Sequence, residues 1–156
     1  MVLNRDFREF LELLNEKKVE YLVVGGYAVV VHGYPRLTGD IDIWVRPTLE
    51  NGRRVVSVLR EFGFGGLDIS ESDFLASERI IQLGYPPVRI DLMTSIGTDK
   101  FESCFDRRKV VDVDGVSINF IGFEDLKRSK KVAGRPRDID DLTNLTKIKK
   151  PRRKKT

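Results

Sequence analysis

Two short apolar runs dominate the first third of the chain, and the second carries acids that a buried strand does not tolerate alone. Residues 21–45 read YLVVGGYAVVVHGYPRLTGDIDIWV. Tyr21 to Val24 is continuous and apolar, the pattern of a strand covered on both faces. In the second run Asp40 and Asp42 alternate with Ile41 and Ile43. Side chains two residues apart along a strand point to one face, about 6.5 Å from each other. The two acids therefore share one face, and Ile41, Ile43 and Val45 share the other. Unpartnered carboxylates are costly in a core strand. The pattern asks for a cation, and a hard divalent ion suits carboxylate oxygens.

Gly25 and Gly26 close the first run and open a short helix. Glycine lets the backbone approach a ligand closely, and a helix start presents free N–H groups to phosphate. Each feature has an ordinary reading when taken singly: a turn for Gly-Gly, a solvated strand face for Asp-x-Asp. In this order and at this spacing they link a phosphate site to a metal site. Arg36, in the loop before the acidic strand, is either a phosphate contact or a partner for nearby acids.

The remaining pattern alternates helices and strands. Asn4 or Asp6 can cap a first helix whose apolar face is Phe7, Phe10, Leu11 and Leu14, running to about Lys18. A short helix spans Tyr27 to His32, and His32 reads as a packing residue, not a base. An amphipathic helix over Leu49 to Phe62 turns Val55, Val56, Leu59 and Phe62 inward. Strands follow at Ile80 to Leu83 and Val88 to Thr94, then a short helix or loop at Lys100 to Arg107. Lys109 to Ile121 reads as a hairpin turning at Asp114-Gly115, with Val110, Val111 and Val113 entering the core. Helices at Phe123 to Val132 and Ile139 to Leu145 complete the chain. The expected class is α/β (α+β), a mixed sheet flanked by helices. In VRIDLMT, Val88, Ile90 and Leu92 share one face and Arg89, Asp91 and Met93 the other. Asp91 is thus an acid inside an otherwise apolar strand, and Arg89 or Arg79 could pair with it.

The segment Val24-Gly25-Gly26, thirteen residues, then Asp40-Ile41-Asp42-Ile43 resembles the signature of the nucleotidyltransferase superfamily typified by DNA polymerase beta. That resemblance implies a third carboxylate on a neighbouring strand, and Asp91 is the residue that matches. It implies two Mg²⁺ ions, or Mn²⁺, held by Asp40, Asp42 and Asp91, and a nucleoside triphosphate held at Gly25 and Gly26. Residues 127–145, KRSKKVAGRPRDIDDLTNL, are similar to a segment of small nucleotidyltransferases related to abortive-infection toxins. There a lysine-rich helix precedes Gly-Arg and two spaced Asp residues, here Lys130 or Lys131, Arg135, Asp138 and Asp141. The resemblance implies phosphate contacts from Lys131 and Arg135. The ordinary reading is helix-dipole compensation, with cations ending one helix and Asp beginning the next.

Composition narrows the partners. The net charge of +4 misleads, because seven of the 28 Lys and Arg lie in residues 147–156. The rest of the chain holds 21 basic against 24 acidic residues, a body near −3. We expect one nucleotidyltransferase-like domain over residues 1–146 and a basic, disordered tail over 147–156, where nucleic acid could bind. A single Cys104 and a single His32 exclude a disulfide framework and multi-histidine zinc sites. No apolar run approaches membrane-spanning length, so a cytoplasmic protein is expected. The acceptor would be a protein, an RNA or a small molecule. The chain has no room for an acceptor-binding domain, so a homodimer or a partner protein would complete the site. Two rival readings are a non-catalytic, antitoxin-like nucleotide binder and a nucleic-acid module built on the tail.

Overall fold

The computed structural model describes residues 3–148. Most of the basic tail, residues 149–156, lies outside the described residues. Six strands form one mixed sheet: β1 (Tyr21–Val24), β2 (Ile41–Val45), β3 (Ile80–Tyr85), β4 (Val88–Met93), β5 (Lys109–Val113) and β6 (Val116–Phe120). Their order across the sheet is β3-β4-β2-β1-β6-β5. The pairs β2–β4 and β1–β6 are parallel; the others are antiparallel. The mixed sheet flanked by helices that the sequence pattern implies is the architecture that forms. The central strand β1 is fully buried, as its unbroken apolar run requires.

Helix α1 (Arg5–Glu16) starts at Asn4, whose side chain accepts from the Asp6 N–H, and buries Phe7, Phe10, Leu11 and Leu14. Helix α2 (Gly25–Val31) begins directly at the glycine pair. Thr48 caps α3 (Leu49–Leu59), its side chain accepting from the Asn51 N–H. Asn51 is itself buried and staples two strands: it accepts from Glu20 N–H and donates to the carbonyls of Glu20 and Arg46. Beyond α3 the chain unwinds over Arg60–Phe64, where Gly63 takes φ 103°. After α4 (Phe101–Asp106) comes the β5–β6 hairpin. Val110 is exposed there, against expectation, because β5 is an edge strand and only Val113 of the three valines is buried.

Two C-terminal helices close over the sheet end that carries the acids. Helix α5 (Phe123–Ala133) is stopped by Gly134 in the left-handed region, φ 63°. Helix α6 (Pro136–Thr146) starts with proline, whose missing N–H is no loss in a first turn. It begins three residues earlier than the apolar pattern suggests. The Asp138 carboxylate accepts the Arg135 N–H, which sets that start. The two helices pack against each other, and α5 also meets α2.

Candidate active site

The register of three adjacent strands builds the floor of the site. Val24 of β1 lies opposite Asp42 of β2, and Asp42 lies opposite Asp91 of β4. Paired residues on neighbouring strands point to the same face, about 4.8 Å apart. Asp40 stands two residues before Asp42, and Arg89 two residues before Asp91. The pleat puts all four on one face, as two acids beside an acid and an arginine. Cross-strand contact confirms it: Arg89 Nη2 forms an ion pair with Asp40 Oδ2 at 2.7 Å. Along its own strand Arg89 forks to Asp91, at 2.9 Å from Nε and 3.1 Å from Nη2. So Asp91 faces the cleft and is also the partner of Arg89, two readings that were alternatives in the sequence.

Asp42 receives no such fork. Burial raises its carboxyl to about 6, Asp91 and then Asp40 add to the rise, and Lys130 and Arg135 oppose it. A carboxyl at that value marks a site short of positive charge. Arg89 is held in its charged form: its hydrogen bond to Asp91 raises it further, against the pull of desolvation. The Tyr27 phenol is raised by burial and then by the charge of Asp40.

The glycine pair exists to seat this floor. Gly25 has φ +66°, and a Cβ there would fall 2.1 Å from Asp42 Oδ2. At Gly26 a Cβ would fall 2.2 Å from Thr38 Oγ1 and 3.3 Å from Arg36 Nη1. Any larger residue would displace the acid or the loop that precedes it.

An ionic network contributed by α5, α6 and the loop before β2 faces the acids, buried at Lys130, Asp138 and Asp141 and open at Arg135. Lys130, nearly buried, reaches Asp138 at 3.3 Å and Asp141 at 3.0 Å. Arg36 forks onto Asp141, 2.7 Å from Nε and 2.9 Å from Nη2. Arg135 Nε meets Asp138 at 2.7 Å. Burial alone would raise Asp138, but the bonds from Arg135 and Lys130 outweigh it and leave its carboxyl below the usual range. Three cations on two acids leave this wall with one positive charge. Of the phosphate contacts expected from the sequence, Arg36 and Arg135 line the cleft; Lys131 does not. It is exposed on the far side of the helix turn, and its neighbour Lys130 takes the inward position. The apolar side of α5 decides which lysine enters: Leu126 is buried, and Lys130 lies four residues on, on the same face.

Two cavities meet at the acids. One, about 290 Å³, is polar and runs past Gly25, Gly26, Arg36 and Thr38. The other, about 390 Å³, extends toward Ile80, Gln82, Met93 and Ile96. Asp42, Asp91, Arg89, Lys130 and Arg135 border both.

A metal would be held here by Asp40, Asp42 and Asp91, and the residues fit one. All three donors are hard carboxylate oxygens, Asp42 is short of a cation, and a guanidinium already bridges the other two. Among the described residues, however, the group of three ligand-type side chains whose atoms all fall within 4.8 Å of one another is Asp99, Cys104 and Asp125. Arg107 and Arg128 already pair with Asp125 and with Asp99, and burial raises the Cys104 thiol to about 11. That second group is therefore matched in charge and keeps its thiol protonated at neutral pH. No helix among the described residues is long and apolar enough to cross a membrane.

Comparison with known proteins agrees with this architecture. Residues 3–150 match a family described as "Nucleotidyltransferase of unknown function (DUF6036)". A provisionally assigned nucleotidyltransferase from Thermotoga maritima shares the fold at a TM-score of 0.60, 18% identity and 91% coverage of each chain. The lincosamide antibiotic adenylyltransferase LnuA, solved with lincomycin, aligns at 0.55 and 18% identity, over 95% of this chain and 99% of its own. The antibiotic-resistance factor ANT(2'')-Ia aligns at 0.57 and 10% identity, over 90% and 80% of the two chains. A search of curated protein sequences finds no match.

Proposed function

This chain belongs to the DUF6036 family of nucleotidyltransferases, and from that premise we propose that it moves a nucleoside monophosphate from a triphosphate to an acceptor hydroxyl in a metal-dependent reaction. The observation that carries the reading is the juxtaposition of Asp40, Asp42 and Asp91 with Gly25, Gly26 and a cationic wall around one cleft. Bound Mg²⁺ would supply charge neutralisation on the attacking and leaving oxygens of an in-line displacement. Asp40 and Asp42 would hold both ions, and Asp91 the ion on the acceptor side.

The residues of the chain do the remaining work. The acceptor oxygen bonds to the α-phosphorus, the bond to the pyrophosphate oxygen breaks and pyrophosphate leaves, and the hydroxyl proton passes to water in the cleft. Lys130 and Arg135 face the acids and lie where phosphate charge must be met. Arg36, held rigid by its fork to Asp141, lines the polar cavity and takes the triphosphate end. Gly25 and Gly26 let the phosphates come close to the backbone. LnuA is described as an adenylyltransferase, and ANT(2'')-Ia has been solved with adenylyl-2''-tobramycin, so ATP is the first donor to test.

The test is label transfer. The full chain is incubated with Mg²⁺, a cell extract and each α-labelled triphosphate in turn. The expected result is one labelled species that disappears with Asp42→Asn. No transfer from any of the four triphosphates, in extract where a control nucleotidyltransferase labels its own substrate, overturns the proposal.

A further inference from the structure

Arg89 occupies a place that the proposed reaction does not need it to occupy. Its guanidinium sits between Asp40 and Asp91, with Nη2 ion-paired to Asp40 Oδ2 at 2.7 Å and donating to Asp91 Oδ2 at 3.1 Å. Its Nε takes the second Asp91 oxygen at 2.9 Å. The side chain is about three-quarters buried and borders both cavities, so it lies in the cleft and not on its rim. A planar fork can span two carboxylates in this way where a lysine cannot. The oxygens it binds belong to the same carboxylates that a divalent cation would use, and one set of lone pairs cannot serve both fully.

We propose that Arg89 is a resident counter-ion that competes with the divalent cation for Asp40 and Asp91 and so keeps metal affinity low in the free protein. This rests on the metal-dependent reading above. Three acids around a cleft repel one another in the absence of metal. Arg89 relieves the Asp40–Asp91 part of that repulsion, and Asp42 is the acid left without it. Metal entry then requires the guanidinium to release at least one carboxylate. It also places a positive group a few ångströms from a doubly charged ion, which is unfavourable even in a well-screened cleft. Arg89 acts here as a positioning residue: it sets where Asp40 and Asp91 point and what a cation must displace.

The experiment titrates Mn²⁺ alone into the full chain at pH 7.5 and follows free Mn²⁺ by electron paramagnetic resonance. Wild type, Arg89→Gln, Arg89→Ala and Asp40→Asn are compared, each checked for folding by circular dichroism. Removing the competitor should tighten Mn²⁺ at least about tenfold in Arg89→Gln, by the like-charge repulsion it relieves. Asp40→Asn should weaken Mn²⁺ binding. If Arg89→Ala does not fold, Arg89→Gln, which is shorter but keeps an aliphatic stem and a hydrogen-bonding head without the charge, still decides the matter. Unchanged or weaker Mn²⁺ binding in the Arg89 variants, with wild type binding Mn²⁺ when ATP is added, overturns the competition and leaves the metal-dependent reading standing. Mn²⁺ binding that is indifferent to Asp40→Asn places the ion elsewhere and overturns the inference too. No Mn²⁺ binding by any protein, with or without ATP, overturns both readings together.

Discussion

Asp42→Asn separates a functional acid from a structural one, because the two roles change stability in opposite directions. The Asp42 carboxyl is raised from 3.8 to about 6, chiefly by burial and then by Asp91 and Asp40. A raised carboxyl binds its proton more tightly in the folded state than in the unfolded one. Wild type therefore carries a cost at pH 7 and above, and the cost disappears as pH falls below about 4, where both states hold the proton. About two units at 1.36 kcal/mol each set the full cost near 3 kcal/mol. Asparagine nearly keeps the shape and removes the charge. At pH 7.5, with chelator present, the variant should melt about 6–12 °C above wild type if the whole cost is recovered. The gap should shrink toward zero as the buffer moves from pH 7.5 to pH 4. Differential scanning calorimetry at four pH values measures both. Asp68→Asn, at an exposed position outside the motif, is the control and should leave the melt unmoved. A variant less stable than wild type by several kcal/mol at pH 7.5, the size expected for a broken buried ion pair, refutes the reasoning: Asp42 would then be held by a cation, and its role would be structural.

Mg²⁺ and ATP together should raise the melting temperature more than either alone, by about 5–10 °C at a hundred times the dissociation constant; a thermal shift assay that shows equal effects singly and jointly counts against a shared site. Gly25→Ala pushes a methyl to within 2.1 Å of Asp42 Oδ2 at a positive φ, and should cost at least about 1 kcal/mol of stability and about a hundredfold in transfer rate. Urea denaturation and single-turnover labelling read the two effects, and a fully active variant would show that the close approach is not needed. Asp141→Ala strips Arg36 and Lys130 of a partner that is fully buried, and should destabilise by about 3–5 kcal/mol in the same urea assay. Lys131→Ala, at an exposed position, should stay within about 0.5 kcal/mol of wild type and keep full transfer activity, unlike Lys130→Ala.

Strand periodicity carried most of what the sequence revealed. Alternation in Asp40 to Val45 and in Val88 to Met93 put acids on one face and aliphatics on the other, and both assignments hold. The parallel register that sets Asp42 opposite Asp91 was not legible, because it depends on how β4 pairs after a long excursion through α3 and β3. The same is true of Arg89 and Asp40. Parity places Arg89 beside Asp91, but only the cross-strand pairing shows that its fork reaches a second acid. Lys130 against Lys131 is a different kind of ambiguity. Two adjacent lysines differ by about 100° around a helix, and choosing between them needs the helix phase. Leu126, four residues before Lys130, held that signal. Val110 failed because an apolar residue in an alternating run looks the same at a sheet edge and at its centre.

For the proposed reaction, the charge layout favours metal and phosphate arriving as one binding event. The floor has three acids and one arginine, and the wall has three cations on two acids. Each wall acid is shared: Asp138 by Lys130 and Arg135, Asp141 by Arg36 and Lys130. That sharing fixes three flexible cationic chains in place before any ligand arrives, which lowers the ordering cost of binding. It also spends most of their charge, so the wall offers direction with little excess. A bare triphosphate would meet that weak wall across a repelling floor. A bare metal ion would find Asp40 and Asp91 already held by Arg89, and only Asp42 short of a cation. A metal–triphosphate complex would answer both surfaces at once: its cations would meet the floor, and its remaining negative charge would meet the wall.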